Sequence, residues 1–377
     1  MPTQKSYSGV YVEEVRSGST PITGVATSVT AFVGPARRGP INRPVRIMSF
    51  SEFEGRFGGL SAALETGYAV RQYFLNGGNE GWVVRVARNP NQKQVKAGLR
   101  ALETVDLFNL LVLPGVMETA AVALAARYCE KRRAFLVVDA PASAKTPAEM
   151  EKAVRGFDIE SKSHAAIYYP WLQIADPLNN DQPRFSPPGG TVAGMIARMD
   201  ASRGVWKAPA GTEANLKGVT GLEHLLTDAE NGLLNPRGVN CLRSFPTLGF
   251  VAWGARTLAG DDQLGSEFKY VPVRRTALFI EESLYRGTKW VVFEPNDESL
   301  WAKLRLNIGA FVQSLFQQGA FAGRTPKEAY FVKCDQETTT QADRDTGVVN
   351  ALVGFAPLKP AEFVVVRIRQ SAGRTIS

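Results

Sequence analysis

From residue 107 onward the sequence alternates short, continuously apolar runs with helix-forming ones. LFNLLVLPG is followed by TAAVALAARYCEKR, then AFLVVDAP, TPAEMEKAVRGF and HAAIYYPWLQI. A strand without polar alternation must be buried on both faces, so this rhythm commits the stretch to a largely parallel sheet covered by helices. Local signals agree. Thr146 stands where a helix needs a cap, and Pro147 occupies the first helical position, where its missing N–H costs nothing. FSPPGGTVAGMIARMDASRGVWKAPAG then reads as a Pro-Gly loop leading into a helix rich in Met and Ala, whose simplest role is core packing.

Upstream, Val29, Ala31 and Val33 mark a strand. Ser49 to Glu52 suggests a capped helical turn. Tyr68, Val70, Tyr73 and Phe74 fall at near-helical spacing and end at Gly77, a plausible helix C-cap. GGNEG (77–81) then reads as a turn before a strand at Trp82 to Val86. Downstream, Asn296 or Asp297 caps a long amphipathic helix. Its apolar stripe is Leu300/Trp301, Leu304, Ile308, Phe311/Val312 and Leu315/Phe316, with Lys303, Arg305 and Gln313 outside. AYFVKCD and VVNALVGFAPLKPAEFVVVRI complete that unit. The expected segments are 1–20, 21–95, 96–264, 265–362 and 363–377.

The two ends pose a problem of hydrogen bonding. SYSGVYVEEV near the start and FVVVRIRQ (363–370) near the end have strand composition, yet neither has a hairpin partner beside it. Backbone N–H and C=O groups of a strand need a neighbour. The ends can pair with each other, join an internal sheet, or add to a sheet in another subunit. The residues alone favour pairing within the chain.

The catalytic inventory is thin. Among 377 residues there are two histidines, His164 and His224, and three widely separated cysteines, Cys129, Cys241 and Cys334. GxxxxGK[ST], GxGxxG, GxSxG, HExxH and CxxC are all absent, so no phosphate cradle, nucleophile elbow or zinc site is indicated. An α/β hydrolase would have to use His164 with Asp139 and a distant serine; the plainer reading of His164 is a local hydrogen bond at a strand start. Asp335, Glu337, Asp343 and Asp345 resemble the opening of a calcium loop, but position twelve from Asp343 is Gly354, and the alternative is a polar loop satisfying its own backbone. No cofactor or metal is expected. The odd, sparse cysteines suit a reducing cytoplasm, and the N-terminus lacks the pattern of a signal peptide. Lys and Arg exceed Asp and Glu by 44 − 36 = 8, but no basic block supports nucleic-acid binding. No apolar run reaches the ~18 residues of a membrane helix.

Several segments in order resemble a known family. They are YSGVYVEEV with TAFVGPARRGP; NGGNEGWVVRV; YYPWLQIADP with the Pro-Gly stretch after it; LLNPRGVNCLRSFPTLGFVAWGARTL; YVPVRRTALFIEESLYRGTKWVVFEPNDESLWAKLRLNIGAFVQSLFQQGAFAG; and TPKEAYFVKCD with GVVNALVGFAPLKPAEFVVVRIRQ. In these the chain is similar to contractile tail sheath proteins of contractile phages, R-type pyocins and extracellular injection systems. The resemblance implies an α/β middle domain, subtilisin-like but non-catalytic, and a C-terminal α+β sheath domain with extended terminal arms. It implies no enzyme. It implies a structural subunit that stacks as hexameric rings around an inner tube, contracts on a signal from the baseplate and drives the tube through a target envelope. Partners would be copies of the chain, the inner tube, and baseplate and tail-terminator proteins. Assembly would be cytoplasmic, and the mature particle would carry the sheath on its tail.

The resemblance also shifts the two orphan strands toward exchange between subunits. Val10, Tyr11 and Val12 on one arm and Val364, Val366 and Ile368 on the other are then the expected interface residues, with hinges at Gly18 to Thr20 and Pro357 to Pro360. Arg324 and Lys327 are the candidates for inner-tube contact. Arg274, Arg275, Glu281 and Glu282 are the candidates for charge links between subunits. Set against larger phage sheaths, a chain this short is expected to lack their extra outer domain.

Overall fold

The computed structural model describes residues 21–88, 90–157 and 159–362. The arm residues Val10, Tyr11, Val12, Val364, Val366 and Ile368, and the hinge at Gly18 to Thr20, lie outside the described residues.

In chain order the first elements are β1 (Thr30–Pro35), β2 (Pro44–Ile47), α1 (Phe50–Phe57), α2 (Glu65–Asn76), β3 (Gly81–Val86), α3 (Gln92–Ala101), β4 (Leu110–Val112) and α4 (Thr119–Lys131). There follow β5 (Phe135–Asp139), α5 (Pro147–Arg155), β6 (Ala165–Tyr169), β7 (Leu172–Asp176), β8 (Gln182–Ser186), α6 (Gly189–Arg203), β9 (Val219–Leu222), α7 (Asp228–Leu234), β10 (Val239–Phe245) and β11 (Gly249–Ala252). The last are α8 (Val271–Gly287), α9 (Glu298–Gln317), α10 (Pro326–Ala329), β12 (Tyr330–Lys333), α11 (Gln341–Asp345) and β13 (Leu352–Phe355).

One eight-stranded sheet runs β11-β10-β6-β5-β4-β1-β3-β2. The strands from β10 to β3 are parallel, and the two outer strands, β11 and β2, are antiparallel to their neighbours. Alternate residues feed two cores. Ala31, Val33, Leu111, Leu136, Val138 and Ile167 face α3, α4 and α5. Phe32, Val83, Val112, Phe135, Val137 and Tyr168 face α1, α2 and α6. The expected parallel α/β architecture therefore stands, as a sheet buried on both faces.

Two expectations need correcting. HAAIYYPWLQI is not one strand: β6 ends at Tyr169, and β7 belongs to a separate three-stranded sheet, β8-β7-β9. Pro170 has no N–H to offer a central ladder, so the strand cannot continue through it. The boundary between residues 95 and 96 falls inside α3, and strands from both sides of it share the main sheet.

The caps follow the chemistry read from the sequence. The Ser49 hydroxyl accepts from the Glu52 N–H, Thr146 forms a capping box with Glu149, and Gly77 closes α2 at φ 117°, a conformation side chains disfavour. α6 approaches α2 closely through two glycines. A methyl at Gly190 would land on the Ala69 backbone, and one at Gly194 on the Tyr73 carbonyl.

Candidate assembly surface

The C-terminal unit is organised by α9. The Asp297 carboxylate accepts from the Leu300 N–H at 2.9 Å, and Leu300, Trp301, Leu304, Ile308, Phe311, Val312 and Leu315 are buried as their spacing predicts. Against this stripe lies the antiparallel pair β12–β13, with Tyr330 opposite Phe355 and Val332 opposite Val353 on the inner face. The outer face alternates accordingly. Phe331 and Leu352 are exposed, and the Phe331 ring lies across Gly354. Among the described residues no strand pairs with either long edge of this ribbon; only Phe321 bridges to Pro357 at one end. A bare two-stranded ribbon is marginal, and its open N–H and C=O groups are templates for further strands.

The chain leaves this unit through a charged anchor. Arg256, almost wholly buried, donates from Nε and Nη2 to the two carboxylate oxygens of Glu362, at 2.7 and 2.6 Å. Its Nη1 donates to Asp262 at 3.0 Å and to the Gly260 carbonyl at 3.1 Å, while the Tyr270 hydroxyl donates to Glu362 at 3.1 Å. The Arg256 guanidinium also holds the Glu362 carboxyl below its usual range, against burial that pushes it up. Nothing in the local sequence joins these residues, which stand 106 positions apart; a lone arginine in an apolar stretch (VAWGARTLAG) is the only hint.

The four residues expected to link subunits are engaged inside the chain. Arg275 donates to both oxygens of Asp200, at 2.9 and 2.6 Å, and both residues are nearly fully buried. Arg274, also buried, meets Glu281 at 3.2 Å and lies over the Phe268 ring. Glu282 pairs with Arg286 at 2.6 Å and with Arg133 at 3.2 Å. A buried charge must be paired where it sits, so Arg274, Arg275 and Glu282 tie α8 within its own subunit. Arg324 and Lys327 are exposed at the start of α10, where the Glu328 carboxylate accepts the Arg324 N–H at 2.8 Å.

The hydrolase pair is not assembled. In the register of β5 and β6, Leu136 stands opposite Ala165, so His164 enters beside Phe135 at one end of the sheet and Asp139 lies at the other, about 13 Å away. Asp139 accepts from the Gly189 N–H at 2.6 Å and the Gly115 N–H at 3.3 Å, holding the start of α6. Burial raises its carboxyl to about 7. Burial lowers His164 to about 4, and its Nδ1 lies 3.2 Å from the Ser163 hydroxyl. The acidic segment is a self-satisfied loop. Asp335 accepts from the Glu337 and Thr338 N–H groups, Asp343 forms a capping box with Thr340, and Asp345 accepts from Gln341.

The profile of the phage tail sheath protein central domain matches residues 89–258, and that of the phage tail sheath C-terminal domain matches residues 264–371. A solved sheath complex of the extracellular contractile injection system PVC, in its contracted state, is 33% identical; the likeness covers 98% of this chain and 99% of that one, with a TM-score of 0.81. The chain belongs to the phage tail sheath family. The helical sheath of the anti-feeding prophage, also contracted, is 30% identical over 97% of this chain and 100% of that one, with a TM-score of 0.80. A putative prophage major tail sheath protein of Pseudomonas aeruginosa is 29% identical over 279 residues, 71% of this chain and 67% of that protein. The family is structural and not enzymatic, in accord with an Asp139 spent on a helix start and a His164 out of its reach. No helix among the described residues is long and apolar enough to cross a membrane. For a sheath protein, the informative surfaces are the open β12–β13 ribbon and the exit of the chain at Glu362.

Proposed function

We propose that this chain is the repeating subunit of a contractile sheath, stacked as six-membered rings around an inner tube, with neighbours joined by exchange of the terminal segments 1–20 and 363–377. The observation that carries this reading is the ribbon of β12 and β13. Among the described residues it presents two open edges and an outward apolar face to whatever strands complete it, while both ends of the chain have strand composition and no partner beside them in sequence. Val10, Tyr11 and Val12 on one arm, and Val364, Val366 and Ile368 on the other, are the side chains whose alternation would fix register. Each added backbone hydrogen bond contributes about 0.5–1.5 kcal/mol net, enough in series to hold neighbours while the lattice rearranges. The work of contraction is then the free-energy difference between two lattices, with no nucleotide required. Arg324 and Lys327 are the proposed contacts to acidic groups of the inner tube, and assembly takes place in the bacterial cytoplasm on a baseplate.

The test is truncation. A chain lacking residues 1–20 should retain the circular dichroism and cooperative unfolding of the parent and fail to polymerise. Tubes of parental appearance from the truncated chain would refute arm exchange.

A further inference from the structure

Phe293 is the most exposed large apolar residue among those described, with a relative exposure of 102%. Its φ is 73°, a left-handed conformation that is strained for a bulky aromatic residue. The loop that carries it is firmly held. The Val292 N–H donates to the Lys289 carbonyl and the Glu294 N–H to the Val291 carbonyl. The Asn296 side chain accepts from the Trp301 indole N–H at 2.9 Å and donates to the Val348 carbonyl at 2.9 Å. Val292 and Val348 are themselves exposed. A ring displayed on a strained but well-braced turn, among apolar neighbours, is built for a partner.

At the other end of α9 lies a groove of about 870 Å³ with Trp206, Trp253, Tyr270 and Pro272 along it. Its acids are already engaged: Glu213 with Arg203, and Glu362 with Arg256. Lys207 and Lys359 on its rim form no ion pair among the described residues, and neither does Glu294 beside Phe293. The 20 residues of α9 separate knob and groove by about 30 Å.

We propose that Phe293 of one copy seats in the Trp206–Trp253 groove of the next copy, with Glu294 meeting Lys207. Two different patches on one chain, separated by the length of α9, give a head-to-tail contact, and such contacts close into rings or propagate as helices. This inference rests on the sheath reading for its partner, a second copy, and adds a side-chain contact independent of the terminal arms.

The test uses the full chain, whose three native cysteines are buried. Glu294→Cys and Lys207→Cys variants are mixed, polymerised and oxidised, with Glu54→Cys replacing Lys207→Cys as control. The contact predicts disulfide-linked dimers from the first mixture and none from the control. Phe293→Ser should melt within about 2 °C of the parent, because its ring touches little, and should need at least a tenfold higher protein concentration to polymerise. Polymers of the mixed Glu294→Cys and Lys207→Cys variants that give no cross-link overturn the docking alone, including the case in which residues 1–20 of the same chain cover Phe293. Phe293→Ser tubes at the parental concentration do the same. A parent chain that never polymerises, by sedimentation and electron microscopy, overturns both the docking and the sheath reading.

Discussion

His164 stands just before β6 and Asp139 ends the neighbouring β5, and their pKa values shift in opposite directions for the same reason. Burial disfavours the charged form of each, lowering the histidine to about 4 and raising the aspartate to about 7. The neutral His164 contributes stability in full above pH 6.5, and this is lost as pH falls toward 4. The protonated Asp139 contributes below about pH 4, and this is lost as pH rises through 7. The two slopes oppose each other in the parent, so single variants reveal them. Relative to the parent, His164→Gln should gain on the order of 2–3 kcal/mol between pH 6.5 and 4, and Asp139→Asn should gain a similar amount between pH 4 and 7, by urea unfolding across that range. Glu362→Gln removes the carboxylate from a buried arginine that keeps only Asp262 as a charged partner; a loss of about 2–4 kcal/mol is expected in the same assay. An unchanged midpoint for Glu362→Gln would mean that the chain is not anchored there. At this scale the sequence was least legible. Residue type marks Arg274, Arg275 and Glu282 as charges for a partner, but only three-dimensional packing decides that they face inward. The pairing of Arg256 with Glu362 has no local signature at all.

Elements were far easier to read, because caps, prolines and apolar spacing are local chemistry. Ser49, Thr146 and Asp297 each start a helix and Gly77 ends one, where their side chain or backbone freedom requires it. The misreading at Tyr169–Pro170 had a signal: a proline inside an apolar run should have divided it. The close approach of α6 to α2 was also written in the sequence, as glycines at positions 190 and 194, one helical turn apart. Since a methyl at either position meets backbone and not a movable side chain, Gly194→Ala should cost about 1–3 kcal/mol. The check is thermal unfolding beside Gly309→Ala, which has open space around it and removes a helical glycine; that variant should be neutral or stabilising by up to about 1 kcal/mol. Equal destabilisation of the two would rule out the packing explanation. The open edges of β12–β13 belong to this scale as well. Residues 330–333 and 352–355 read as strands, but the absence of a third and fourth strand within the described residues appears only in the fold.

For the whole molecule, the strand–helix rhythm fixes a parallel sheet buried on both faces, and the structure has one. Strand order was not legible, because it depends on which way each crossover turns and not on any residue in the strand. The split at residue 95 failed for a related reason: β1, β3 and β2 form one end of a single sheet completed by strands up to β11, so composition along the chain does not mark a unit. Function was legible through the ordered family segments, while the arms that the account depends on fall at the chain's two ends. The most direct measurement is negative-stain electron microscopy of the purified full chain, alone and with its cognate inner tube and baseplate. The account predicts hollow, striated tubes of regular width. A monodisperse 41.0 kDa monomer that stays unassembled after tube and baseplate are added would contradict it.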